Sequence, residues 1–256
     1  MRIVGYNILD GGEGRADPLA EVLQAQRADV IALVEAGFPP TVERIAARLG
    51  MDFIVGGGNK EGSASALLSR WPIRDSINHA PLRPELTKSL LEATVETPQF
   101  GELPIGVVHL HAHAAEADER TRETELATVL DVFAAARRDR RPHLLCGDFN
   151  ANAPSQRIDP AKVKESTRRE WVQNGGHLPR RVIKALLDAG YVDTLAAVKG
   201  PEADVTGTFS TQHPGQRVDY IFAFGIDRVR LKDAWVEHDR LAKYASDHFP
   251  VGLETS

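Results

Sequence analysis

Short apolar runs, many of them alternating or rich in β-branched residues, recur along the chain and predict more strands than helices. We expect ten strands, near Ile3–Tyr6, Val30–Val34, Phe53–Gly56, Ala64–Ser69, Leu90–Val95, Pro104–His111, His143–Gly147, Val218–Phe224, Val229–Glu237 and Phe249–Leu253. Helical periodicity predicts four helices, at Pro18–Gln26, Thr41–Leu49, Ala115–Arg137 and Arg180–Ala189. Because no regular βαβ alternation and no repeat is present, two packed sheets with helices outside fit better than a fully wound parallel sheet or a solenoid.

Oxygen-bearing side chains stand where several of these strands end. Asp148 and Asn150 follow an apolar strand, and since strand residues i and i+2 point to the same face, both can act on one ligand. Glu35 ends the run Val30–Val34, where an ionised carboxylate is costly unless it is paired or bound to a metal, although a surface cap is an equally good interpretation of Glu35 alone. With Asn7 and Asp247, these residues form a set of hard donors that suits Mg²⁺ or Mn²⁺ better than zinc.

His248 follows Asp247 directly and could move a proton near neutral pH. An imidazole held by a carboxylate has a fixed tautomer, and Asp219 is a candidate for that carboxylate because it lies inside a strand-like run where an acid needs a partner. Taken singly, Asp219 is more often satisfied by the nearby Arg217 or by backbone donors, and His248 is more often structural.

Three histidines, His109, His111 and His113, share one face if the strand before them continues. This spacing is also a plausible zinc signature, but the usual cysteine spacings and a helical HExxH motif are absent. We therefore favour His111 as a hydrogen-bond donor to a phosphate or as a general acid, and assign His109 and His113 structural roles.

The overall charge favours a small substrate over a polyphosphate. The formal net charge is -5 and the pI is near 6.0, whereas nucleic-acid binding normally relies on clustered Lys and Arg. One local exception is Lys162–Arg181, which holds six Lys and Arg residues and could form a positive rim around a phosphate site, although a solvated helix face is the simpler interpretation. With 6% aromatic residues, no stacking platform for single-stranded nucleic acid is obvious.

The chain length of 256 residues and its even composition predict one domain covering residues 1–256. The single cysteine, Cys146, excludes an internal disulfide. No apolar stretch is long enough to span a bilayer and no signal-peptide pattern follows Met1, so we expect a cytoplasmic protein, and a monomer.

These motifs, taken in order, resemble the endonuclease/exonuclease/phosphatase superfamily of deoxyribonuclease I-like proteins. The resemblance spans residues 5 to 248 and depends on Gly5–Asn7, Glu35, Val107–His111, Gly147–Asn150, Arg217–Tyr220 and Ser246–His248. It implies an α/β fold, a four-layered sandwich in which two mostly antiparallel central β-sheets are flanked by helices. It also implies a Mg²⁺ or Mn²⁺ site at one edge, with Glu35 as the main ligand, Asn7 in the same region and Asp247 near the metal or the phosphate.

The resemblance implies in-line hydrolysis of a phosphoester by an activated water. In this scheme Asp148 and Asn150 position the water and the scissile phosphate, and Asp219 orients His248. The apurinic branch of the superfamily commonly has tyrosine where this chain has His111, which weakens an abasic-site repair function.

The leading hypothesis is a divalent-metal-dependent phosphoesterase acting on a small molecule or a nucleic acid. An endonuclease or exonuclease with the same site is the nearest alternative. A zinc hydrolase built on the three histidines, and a non-catalytic binding module that keeps the fold, are the others.

Overall fold

Twelve strands form two six-stranded sheets in the computed structural model, which describes residues 1–256. The first sheet has the order β11-β12-β1-β2-β4-β3 and contains β1 (Arg2–Asn7), β2 (Val30–Val34), β3 (Asp52–Gly56), β4 (Ser65–Ser69), β11 (Leu231–Val236) and β12 (Val251–Thr255). The second has the order β5-β6-β7-β8-β10-β9 and contains β5 (Ile73–Asn78), β6 (Ser89–Thr97), β7 (Gly101–His109), β8 (His143–Asp148), β9 (Val192–Asp193) and β10 (Asp219–Phe224).

Most neighbouring strands run antiparallel. The exceptions are β1 with β2 in the first sheet and β7 with β8 in the second. In each of these two pairs the C-terminal ends lie at the same edge of the sheet, which is where the polar residues of the sequence motifs are found.

Eight helices accompany the sheets: α1 (Ala16–Gln26), α2 (Pro39–Leu49), α3 (Glu116–Val132), α4 (Ala134–Arg138), α5 (Glu165–Gln173), α6 (Arg181–Asp188), α7 (Thr194–Lys199) and α8 (Arg240–Ala245). Four short 3₁₀ turns occur at Asp10–Gly12, Ala80–Leu82, Gly200–Asp204 and Arg228–Arg230. A membrane-spanning helix is not among them, because each is too short or too polar to cross a bilayer.

The core is divided into three apolar layers. Side chains such as Ile3 and Val107 pack between the two sheets. On the opposite face of β1, Val4 packs with residues of α1 and α2, and on the far side of the second sheet Val108 packs with residues of α3 and α6. Because neighbouring strand residues point to opposite faces, each central strand contributes to two layers. The order helix, sheet, sheet, helix confirms the predicted four-layered sandwich.

The structure departs from the predicted elements where the sequence signal is weak or is overridden. The edge strand β5 is largely exposed and lacks apolar alternation, and β9 has only two residues, so neither was predicted. The predicted long helix divides at Phe133, whose backbone leaves helical geometry, into α3 and α4. The predicted strand Pro104–His111 ends at His109, and this difference changes the site.

Candidate active site

The candidate site lies where strand ends of both sheets meet. In the second sheet Asp148, at the end of β8, is paired with His109 of β7 on one side and Asp219 of β10 on the other. In the first sheet Asn7 ends β1 beside Val34, the last residue of β2. Since one edge of each sheet carries these polar residues, packing of the sheets brings them together.

The carboxamide of Asn7 joins the two sheets. Its Nδ2 donates to Glu35 Oε1 at 3.2 Å and to Asp148 Oδ2 at 3.1 Å, and lies 3.4 Å from His248 Nε2. Its Oδ1 accepts from the backbone N–H of Leu9 at 3.0 Å, which fixes the orientation of the amide. Asn7, Glu35, Asp148 and His248 therefore belong to one cluster.

His248 and Asp219 form a buried pair. His248 Nδ1 lies 2.9 Å from Asp219 Oδ2, and since a carboxylate accepts, the ring donates from Nδ1. Burial alone lowers the pKa of His248, but the carboxylates of Asp219 and Asp148 outweigh it and raise that pKa to about 10. The imidazole therefore carries a proton at neutral pH, and its Nε2 faces Asp148 Oδ2 at 3.8 Å.

The pKa of the Asp148 carboxyl is higher than that of an exposed aspartate. Burial and the neighbouring Asp219 raise the pKa of its carboxyl, while His248 partly offsets them. The backbone N–H of Asn150 donates to Asp148 Oδ1 at 2.8 Å, and the Asn150 side chain donates to the Leu110 carbonyl at 3.0 Å. Asp148 is thus held rigidly and is easier to protonate than a solvated aspartate.

His109, and not His111, lies in the cluster. His109 Nε2 is 3.6 Å from Asp148 Oδ2 and 3.9 Å from Glu35 Oε1. His111 instead lies 3.1 Å from Asp118 Oδ1, away from those carboxylates, and the exposed His113 lies 3.4 Å from Glu170. The reason is that β7 ends at His109, so the alternation that would place the three rings on one face stops there. The structure does not bring together the three histidines of the zinc alternative.

Lys88 is a member of the cluster that the sequence analysis missed. Its Nζ lies 2.5 Å from His109 Nε2, and the side chain is buried. Burial lowers the pKa of Lys88, while Asp148 and Glu35 act in the opposite direction. Burial and the nearby Lys88 also lower the pKa of His109 well below its usual value, so this imidazole is neutral. The available signal was the position of Lys88 directly before strand β6, whose start pairs with the end of β7.

The donor set fits a hard divalent cation. Asp247 Oδ1 is buried without a hydrogen-bond partner, and burial raises the pKa of this carboxyl. Glu35 projects beside Asn7, and its Oε2 accepts from the backbone N–H of Asp10 at 2.9 Å. Asp148, Asp219 and His248 also place one ligand atom each within 4.8 Å of one another, but Asp219 is engaged by His248. Carboxylate oxygens gathered in a buried site are the ligands that Mg²⁺ and Mn²⁺ prefer.

A cavity of about 210 Å³ opens above the cluster. The cluster side is formed by Glu35, Lys88, Asp148, Asn150, Asp247 and His248. Another part of the wall is formed by the loop 112–114 and by the start of α5, together with Phe209 and Gln216. The cavity is therefore lined by a helix start as well as by the strand ends of the cluster.

Comparison with known proteins identifies the family. The sequence profile of the endonuclease/exonuclease/phosphatase family matches residues 5–248. The chain therefore belongs to this family, whose members include nucleases and phosphatases, and its place there supports a phosphoesterase. No curated protein matches the sequence.

Solved structures share the fold. An AP endonuclease from Archaeoglobus fulgidus is 18% identical, with a TM-score of 0.72 over 100% of this chain and 99% of that one. The 3'-5' exonuclease NExo from Neisseria meningitidis is 23% identical, with a TM-score of 0.69 and full coverage of both chains. A family member from Beutenbergia cavernae is 22% identical, with a TM-score of 0.69 over 100% of this chain and 72% of its own. At these identities the likeness shows the fold alone.

Proposed function

We propose that the protein is a Mg²⁺- or Mn²⁺-dependent phosphoesterase that hydrolyses its substrate by in-line attack of a water molecule. The observation that carries this proposal is the convergence of Asn7, Glu35, Asp148 and the His248–Asp219 pair in one buried cluster beneath the cavity. Family membership supports the same class of reaction.

Glu35, Asn7 and Asp247 would hold the metal. When bound, a divalent ion polarises the phosphoryl group and offsets charge on its oxygens. The unpartnered Asp247 oxygen and the carboxylate of Glu35 support this assignment, because both gain a partner when a cation is present.

The proton transfers are assigned from the charge states of the two catalytic groups. Because Asp219 accepts a hydrogen bond from Nδ1–H, the protonated His248 presents its Nε2–H to a phosphoryl oxygen and stabilises developing negative charge there. Asp148, whose pKa burial raises, accepts the proton of the attacking water, while the bond from phosphorus to the leaving oxygen breaks and that oxygen departs with the bonding electrons and is protonated by solvent. Asn150 lines the cavity beside Asp148 and positions the phosphate.

His111 is not assigned a catalytic step in this scheme. Its ring lies between Asp118 and Thr87, whereas His109 lies in the cluster. We propose that the neutral His109 imidazole, with Lys88, supports the position of Asp148.

A nuclease is the second candidate, favoured by a groove of about 500 Å³ that shares Lys164 and Asp247 with the cavity. Lys243 and the largely exposed Tyr244 line this groove, and a cation beside an exposed aromatic ring suits a nucleic-acid strand. Solved neighbours are described as an AP endonuclease and a 3'-5' exonuclease.

The test is hydrolysis of bis(4-nitrophenyl) phosphate by purified protein with added Mg²⁺ or Mn²⁺. We expect turnover that chelator abolishes, and a loss of about 10²–10⁴-fold in kcat for Asp148→Asn, the range expected for a general base. Asp17→Asn, which changes an exposed carboxylate paired with Arg44, is the matched control and should keep full activity. Equal activity of Asp148→Asn and wild type would refute the assignment, and parallel assays on single-stranded and duplex DNA test the nuclease candidate.

A further inference from the structure

The start of α5 forms part of the wall of the cavity and offers hydrogen-bond donors that the proposed reaction does not use. We propose that it forms a second phosphate subsite, so that the substrate carries a second phosphate near the one that is hydrolysed. This inference rests on the proposed phosphoesterase function and narrows its substrate class.

The first turn of α5 lacks a cap. Its N-cap residue is Lys164, which makes no side-chain hydrogen bond to the helix backbone. The first N–H groups of a helix have no partner within the helix, and together with the helix dipole they favour an anion. Ser166 and Thr167, in the same turn, line the cavity and add two hydroxyl groups to this wall.

Gln216 gives independent support for a ligand at this wall. The residue is 4% exposed, lines the same cavity, and its Oε1 has no hydrogen-bond partner. A buried amide oxygen without a hydrogen-bond partner is costly, and no hydrogen bond fixes which end of this carboxamide faces the cavity. Gln216 can therefore turn its NH₂ group towards a bound oxyanion.

Lys164 supplies a positive charge close to His248. Its Nζ lies 5.2 Å from the centre of the Phe209 ring, and that ring lies 4.7 Å from the imidazole of His248, centre to centre. The ammonium group and the imidazole that is proposed to contact the scissile phosphate therefore both lie next to one aromatic ring. This proximity allows an anion at Lys164 to belong to the same substrate molecule.

The acid on this wall is already engaged. Glu170 Oε2 accepts from the backbone N–H of Ala114 at 3.0 Å, and its Oε1 lies 3.4 Å from His113 Nδ1. The side chain thus ties α5 to the loop 112–114. Ser166 and Thr167 of the first turn line the cavity, whereas Glu165 of the same turn lines the adjoining groove, so the part of this turn that lines the cavity offers donors to a phosphate.

The volume of the cavity favours a small occupant. Its volume of about 210 Å³ lies below the roughly 300–1,000 Å³ of pockets that enclose a drug-sized ligand. It fits phosphate groups, with the remainder of the molecule outside in the groove that shares Lys164. A short spacing between two phosphates is common to a nucleic-acid strand and to a small bisphosphate ester.

The test compares two esters with the same scissile phosphodiester, the 4-nitrophenyl ester of thymidine 5'-phosphate and its 3'-phosphorylated form. We expect wild-type kcat/KM to be about tenfold higher for the ester with the second phosphate, as one additional charge-assisted hydrogen bond provides. In Lys164→Ala and in Gln216→Leu the ratio of the two values should fall towards one. Lys162→Ala removes an exposed lysine two residues away and should keep the wild-type ratio.

The outcomes separate this inference from the proposed function. If wild type hydrolyses neither ester with metal present, the phosphoesterase function itself fails. If wild type hydrolyses both equally well, or Lys164→Ala keeps the preference, the subsite is refuted while the function stands. A tetranucleotide whose hydrolysis depends on Lys164 in the same way identifies a strand as the source of the second phosphate, and a preference confined to the bisphosphate ester identifies a small molecule.

Discussion

Replacing Arg122 by methionine should destabilise the protein strongly. The guanidinium is 1% exposed and donates twice to the fully buried Glu119, at 2.9 and 3.2 Å. Its Nη1 also donates to the carbonyl oxygens of His111, Ala112 and His113, at 2.9, 3.4 and 2.5 Å. Breaking a buried ion pair by removing one partner costs about 3–5 kcal/mol.

The loss should lie near the lower end of that range. Glu119 Oε1 keeps two backbone donors, Arg181 N at 2.6 Å and Val182 N at 3.0 Å, so the carboxylate is not left wholly without partners. We therefore expect a fall of about 3 kcal/mol in the free energy of unfolding. Arg122→Lys, which keeps the charge but not the planar fork, should lose less.

Urea unfolding followed by circular dichroism measures this difference. The matched control is Arg44→Met, because Arg44 pairs with Asp17 at the surface and both side chains are more than half exposed. That variant should unfold at the wild-type midpoint. If the free energy of unfolding of Arg122→Met lies within about 1 kcal/mol of the wild-type value, the hydrogen bonds of Arg122 to Glu119 and to the carbonyl groups of residues 111–113 do not stabilise the fold.

Three further predictions follow from other buried contacts. In the metal-free protein, burial lowers the pKa of His248 and Asp219 raises it, and the result is a pKa of about 10. The protonated imidazole therefore contributes its full stabilisation below the pKa of the unfolded state, about 6.5, and this stabilisation is lost as pH rises through 10. Asp219→Asn should lower the imidazole midpoint in an NMR titration by about one to three pH units, and an unchanged midpoint would contradict this. Gly5→Ala should cost about 1–3 kcal/mol in urea unfolding, because the added Cβ would lie 2.6 Å from Cys146 Sγ, and Cys146→Ala should restore part of the loss; wild-type stability of Gly5→Ala would refute it. Glu125→Ala should speed hydrogen exchange at the backbone amides of Thr87 and His111, which donate to this carboxylate at 2.8 and 2.7 Å. Glu125→Gln should have an intermediate effect, and unchanged exchange rates would count against the contact.

The central strands were predictable because buried strands consist mainly of apolar residues. β2 and β8 are buried at every position, so continuous apolar runs mark their bounds, and the polar residues after them fall at the shared edge. The family resemblance added the pairing of the two sheets, which periodicity alone does not give. The edge strand β5, exposed along most of its length, gave no comparable signal.

The end of strand β7, which decides which histidine lies beside Asp148, could not be predicted from the sequence. The apolar run before His109 predicts a strand, but nothing in the local sequence marks the residue at which the strand ends. A difference of two residues makes His109, rather than His111, the histidine that lies beside Asp148. The donors of α5 were similarly hidden, because the basic segment Lys162–Arg181 was assigned to a solvated face, and only tertiary packing shows that its start lines the cavity.

The site geometry depends on how closely the two sheets approach. Gly5 and Asn7 lie on one face of β1, and Cys146 and Asp148 lie on one face of β8, because each pair is two residues apart. The missing side chain at Gly5 lets β1 approach β8, since a Cβ there would lie 2.6 Å from Cys146 Sγ. Two residues further along, the same approach brings Asn7 Nδ2 within 3.1 Å of Asp148 Oδ2.

The geometry of the proposed site therefore depends on the same close approach of β1 and β8 as the packing of the sheets. A side chain at position 5 should push the two strands apart by a few tenths of an ångström or more, and a misplacement of that order weakens catalysis when groups must be aligned. Gly5→Ala should consequently lower activity at temperatures where the protein is still fully folded. Cys146→Ala in the same chain should recover activity together with stability, because it returns the space that the new methyl group occupies.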